Sequence, residues 1–201
     1  MSQIALPFDW PAPETEQDFI VSVANADAVR HLGHWSLWPV MATILTGPRK
    51  SGRSFLGRIF AARSGGVLVD GGEDADEEGL FHAWNNALSH RRPLLILADA
   101  PARAWDTILP DLRSRLAATP HIAISEPDDV LIRALLERLM ASRGLTFGAD
   151  VPDWIAQRIE RSYVSIHRAV DLLDEAAWSR KRKIGIGIAR EVLISANVIE
   201  D

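Results

Sequence analysis

Four short apolar runs, at residues 41–46, 67–70, 93–98 and 121–125, alternate with stretches of helical pattern at 54–63, 77–90 and 110–118. No other feature restricts the fold as much. A strand buried on both faces reads as a continuous apolar run, and strands alternating with helices build βαβ units with right-handed crossovers. The first part of the chain is therefore expected to be a parallel sheet covered by helices. After Pro127 the pattern changes. Asp128 or Asp129 is placed to cap a helix whose apolar positions (Val130, Leu131, Leu135, Leu136, Leu139, Met140) recur at helical spacing, with Gly144 at its end. Three more helices are expected over 151–161, 165–180 and 186–196. A short strand at 19–21 and a helix over 26–32, capped by Asn25, are expected before the first long apolar run.

The first long run leads straight into Gly47-Pro48-Arg49-Lys50-Ser51-Gly52-Arg53-Ser54, and a helical stretch follows. This is the G-x-x-x-x-G-K-[ST] spacing of a phosphate-binding loop, with arginine where lysine belongs. In a strand–loop–helix setting, the loop N–H groups and the positive pole of the helix attract an anion. Lysine reaches the outer phosphates as a compact point charge. Arg53 keeps the charge but brings a longer planar fork, so the exchange is not neutral. Gly47, Gly52, Arg53 and Ser54 are the candidate nucleotide-binding residues, with Ser54 placed for Mg²⁺.

Composition narrows the classes. A net charge of -5 argues against a broad basic surface, so direct DNA binding is not expected. There is no cysteine, hence no disulfide framework and no thiolate metal site. His31 and His34 do not have the i, i+4 spacing of a helical zinc pair, and no metal site is expected there. No apolar run is long enough for a bilayer and the start lacks the pattern of a signal peptide, so a cytoplasmic protein is expected. Residues 1–16 hold Pro7, Pro11 and Pro13 and the acids Glu14 and Glu16, which suits an extended tail. The expected organisation is a tail at 1–16, an α/β base at 17–126 and a helical module at 127–201.

Several stretches, in this order, resemble a known family. The tail contains Gln3-Ile4-Ala5-Leu6-Pro7-Phe8, and the phosphate loop follows it. Leu94-Leu95-Ile96-Leu97-Ala98-Asp99-Ala100-Pro101 comes next, then Leu109-Pro110-Asp111-Leu112-Arg113-Ser114-Arg115-Leu116. The last are Ile159-Glu160-Arg161-Ser162, Lys181-Arg182-Lys183-Ile184 and Ala189-Arg190-Glu191-Val192-Leu193. Together they resemble the AAA+ ATPases and, within them, the DnaA-related regulators of the Hda type. The resemblance implies an α/β AAA+-like base, shortened here by one strand–helix unit, and a small all-helical lid. It implies ADP or ATP with magnesium as ligand, and makes Asp70 the Walker B acid, with Glu73 and Asp74 a rival alignment. The sensor-1 place falls on Ala98 and the sensor-2 arginine on Val164. Trp35 and Trp38 either pack the approach to the base or wall the adenine pocket.

The implied partners are the DNA polymerase sliding clamp, DnaA, and a second copy of the chain. Gln3, Leu6 and Phe8 would enter the clamp's apolar groove as an extended peptide; the plainer alternative packs Leu6, Phe8 and Trp10 on this chain's own core. Arg115 would be an arginine finger acting in trans on DnaA's nucleotide. Its plainer alternative is a surface salt bridge with Asp111 or another surface acid, worth little, and removing it is expected to leave folding intact. Arg113 is the nearby rival. The function implied is an adaptor that promotes ATP hydrolysis on DnaA, with a self-acting ATPase as the alternative.

Overall fold

The computed structural model describes residues 19–180 and 183–200. Strands β1 (Ala42–Thr46), β2 (Val67–Asp70), β3 (Leu94–Leu97) and β4 (His121–Ala123) form one parallel sheet in the order β2-β3-β1-β4. Central β1 and β3 are buried along their whole length, which is why both read as unbroken apolar runs. Edge strands β2 and β4 are more open. In register, Ala42 lies beside Leu94 and Ile44 beside both Ile96 and His121.

Helices α1 (Ala26–Gly33), α2 (Arg53–Ser64), α3 (Glu77–His90) and α4 (Pro110–Ala118) surround the sheet. From β1 the chain first travels outward to β2, returns to β3, and only later crosses to β4 on the other side. The carboxyl end of β1 is therefore the point where the strand order reverses. In open parallel sheets that is where ligands sit, and it is where the loop 47–54 emerges.

The helical part contains α5 (Asp129–Ser142), α6 (Val151–Ala156), α7 (Tyr163–Arg180) and α8 (Ile186–Ser195). Asp128 caps α5, its side chain accepting from the Leu131 N–H at 2.8 Å. Ile132, Leu136, Ile155, Ile166, Val170 and Leu193 are fully buried in a core of their own; each contributes about 1.5–3 kcal/mol relative to exposure. Leu131 and Tyr163 instead join the core under the sheet. The Tyr163 hydroxyl donates to the Ser125 carbonyl at 3.1 Å and so ties α7 to the end of the sheet.

Three local expectations change. Residues 19–21 form no strand; the Phe19 ring packs 6.0 Å from that of Phe55 instead. Asn25 does precede α1, but its side chain makes no cap. It donates to the Ile20 carbonyl and accepts from the Ser22 N–H, so buried Asn25 folds the incoming turn. The helix at 151 stops at Ala156, where a turn brings Ile159 back into the core. Trp38 packs the base, stacked between His31 and Phe60. Thr43 gives its proton to the Pro120 carbonyl at 3.0 Å, so His31 Nε2–H donates to Thr43 Oγ1 at 2.8 Å. His31 is thus a tie between α1 and β1.

Candidate nucleotide cleft and arginine face

A cavity of about 830 Å³ opens between the loop 47–54 and the helical part. Lys50, Arg53, Phe55, Arg138, Tyr163 and His167 line it, with Phe19 and Ser51. Gly52 stands at φ 86° immediately before α2, a left-handed position that glycine takes without strain. A helix's first N–H groups have no intrahelical acceptors, so this end faces the cavity with unsatisfied donors and a positive pole. The Ser51 hydroxyl is buried and has no hydrogen-bond partner. A buried polar group of this kind costs about 1–3 kcal/mol while unsatisfied, and a phosphate oxygen in the loop would satisfy it.

The acids separate by geometry. Ser54 Oγ donates to Asp70 Oδ2 at 2.8 Å, placing the loop hydroxyl beside the carboxylate at the end of β2. A hydroxyl–carboxylate pair beside a phosphate loop is the donor set that Mg²⁺ takes with a nucleotide, so these residues fit the implied group. Glu73 does other work: its Oε1 accepts from the Asp99 N–H at 2.7 Å and holds the turn after β3. Between the rivals, this arrangement favours Asp70.

Arg53 is bound at the end of β3. Its guanidinium donates to the Ala98 carbonyl and pairs with the Asp99 carboxylate, and its side chain is only 14% exposed. Its charge is therefore offset at the end of β3. Lys50 was not singled out by the sequence pattern, yet it projects from the same loop and lines the cavity with φ 67°. His167 was likewise missed. Its pKa is lowered, first by burial, then by the charges of Lys50 and Arg143, with Asp171 opposing. The signal available was helical spacing: Tyr163 and His167 lie one turn apart on α7.

Arg115 stands on α4, and it is not among the described residues that line the cavity. Its guanidinium lies over the Phe81 ring at 4.5 Å and the Trp84 ring at 4.9 Å, and Nη1 donates to Asn85 Oδ1. These three partners share one face of α3. Arg115 thus rests on two rings and an amide rather than on Asp111. Arg113 is exposed and donates Nε and Nη2 to the Thr107 carbonyl. Gln3, Leu6 and Phe8 lie outside the described residues.

Residues 128–193 match the family described as Hda, lid domain. Among solved structures, domain III of the Thermotoga maritima replication initiation protein DnaA matches with a TM-score of 0.75 at 12% identity, covering 92% of this chain and 96% of that one. AMPPCP-bound DnaA from Aquifex aeolicus matches with a TM-score of 0.62 at 14% identity, over 82% and 66%. The Thermotoga maritima RuvB branch migration motor matches with a TM-score of 0.66 at 14% identity, over 92% and 72%. The helical part thus matches the Hda lid family over residues 128–193, and the chain as a whole has the fold of DnaA domain III. The matched segment begins at Asp128, the residue that caps α5. The sheet has four strands among the described residues, with β2 as an edge. Ala98 is buried with no polar side chain, its carbonyl accepting from Arg53, and Val164 is an exposed apolar residue on α7. No helix among the described residues is long and apolar enough to cross a membrane.

Proposed function

We propose that this DnaA-related regulator of replication initiation is an adaptor whose chemistry takes place on its partner. The tail, through Gln3, Leu6 and Phe8, docks on the polymerase sliding clamp in the cytoplasm. The base and lid then meet ATP-bound DnaA. Arg115 enters DnaA's site and neutralises the charge that develops on the γ-phosphate as water attacks and ADP leaves. The chain's own cleft holds ADP or ATP as a structural ligand, with Ser54 and Asp70 beside the metal. Two such chains meeting through the same AAA+ faces would form the homodimer.

One observation carries this reading: Arg115 lies on α4 outside the chain's own cleft, while the loop arginine inside the cleft is bound to Asp99. The test is calorimetric titration of the whole chain with sliding clamp, beside the Leu6→Ala/Phe8→Ala double variant. Binding by the wild type that vanishes in the variant supports the adaptor; no binding by the wild type overturns it. The Ser54–Asp70 pair favours a second reading, a self-acting ATPase. That reading expects hydrolysis by the purified chain alone, lost in Asp70→Asn.

A further inference from the structure

We infer that Lys50, three residues before the arginine of the loop signature, is the residue that meets the outer phosphates in this cleft. The inference rests on the nucleotide reading of the cleft and specifies how that ligand is held. Arg53 occupies the position that the motif gives to the phosphate-binding cation. Its guanidinium, however, is committed to the Ala98 carbonyl and the Asp99 carboxylate. Moving it to a phosphate would leave Asp99 unpaired and break a contact to β3. Lys50 has no such commitment, because no carboxylate pairs with it among the described residues.

The backbone at Lys50 is the independent observation. It sits at φ 67°, in the left-handed region where a side chain's Cβ crowds the following carbonyl. A loop that needed only the turn would be cheaper with glycine, as at Gly52 two residues on. Strain of this kind persists where the surroundings hold it, and it gathers at binding sites. Here it aims a cation into the opening. Lys50 lines both the main cavity and an adjoining hollow of about 400 Å³ against α7, where Val164 and Arg168 also lie. Lys50 and His167 line both of these hollows, so one ligand there would meet the ammonium and the imidazole together. Next to Lys50, the unpartnered Ser51 hydroxyl waits for an acceptor or donor at the same spot. A compact ammonium with three rotatable donors suits phosphate oxygens as a point charge.

The experiment is calorimetric titration of the whole chain with ADP in Mg²⁺, with thermal melts, for the wild type, Lys50→Gly and Arg53→Ala. Lys50→Gly relieves the backbone while removing the charge, so the two readouts separate. The expected result is a Tm equal to or above that of the wild type, with ADP affinity lower by about tenfold or more, the effect of one lost charge-assisted contact. Arg53→Ala is expected to lower Tm, because Asp99 loses its partner, and to weaken ADP less than Lys50→Gly does. Unchanged ADP affinity in Lys50→Gly overturns the inference and leaves the nucleotide reading standing. No ADP binding by the wild type overturns that reading and the inference with it.

Discussion

Truncating Arg115 separates two roles that the sequence presents as one. If the residue served only in trans, Arg115→Ala would leave the isolated chain as stable as before. The structure gives a different expectation. The guanidinium lies 4.5 Å from the Phe81 centroid and 4.9 Å from that of Trp84, and it donates to Asn85. A half-exposed cation–π contact contributes about 0.5–1 kcal/mol and a hydrogen bond about 0.5–1.5 kcal/mol. The contacts overlap and do not simply add, so Arg115→Ala is expected to cost about 2 kcal/mol. For a chain of this size that lowers Tm by about 4–8 °C. Arg115→Lys keeps a charge over the rings and loses the planar fork, so it should recover much of the stability. The assay is a pair of measurements on each variant: thermal unfolding of the isolated chain, and ATP hydrolysis by DnaA in the presence of clamp. Stimulation should fall by about a thousandfold or more in Arg115→Ala, the scale of a lost arginine finger, and should stay low in Arg115→Lys. A wild-type Tm in Arg115→Ala would refute the packing argument. Undiminished stimulation would refute the finger assignment, whatever the Tm.

Other expectations follow from single contacts. A methyl group at Gly72 would fall 2.3 Å from Ile96 Cγ2 and 2.9 Å from Trp105 Cη2. Gly72→Ala should therefore cost about 1–3 kcal/mol, read as a lower urea midpoint. Tyr163, the one tyrosine of the chain, has its pKa raised to about 12, first by burial and then by the charges of Glu126 and Asp128. The ultraviolet tyrosinate signal should accordingly titrate near 12 in the folded chain and near the ordinary value of about 10 in denaturant. Because the folded pKa is the higher one, the stabilisation is complete below the unfolded pKa and is lost as pH rises from about 10 through 12. A folded midpoint near 10 would show that the Tyr163 hydroxyl is not held against Ser125.

What could be read from the chain and what could not divide along a physical line. The central strands were legible because residues buried on both faces must be apolar without interruption, as at Ala42–Thr46 and Leu94–Leu97. The start of α5 was legible because Asp128 bonds an N–H only three residues away. The turn from β1 into α2 was legible because its spacing is set by a local turn into a helix. All three depend on neighbours in sequence. The 19–21 strand failed for the opposite reason: Phe19 found a ring at Phe55, and that contact outweighed its local preference.

The direction and partners of the charged groups were settled elsewhere. Arg53 pairs with Asp99, 46 positions away, and Arg115 with Asn85, 30 positions away. Lys50 faces α7 only because the helical part closes over the loop. A side chain's charge is written in its residue type, but the partner that offsets it depends on which strand lies beside which. By itself the sequence determined the elements, the loop and the kinds of groups near it. Only the tertiary structure decided that the motif's arginine is paired with Asp99, that Lys50 lines the opening at a positive φ, and that Arg115 rests on α3. Motif spacing records local backbone geometry, whereas electrostatic pairing is set by distances that exist only after the sheet order β2-β3-β1-β4 has formed.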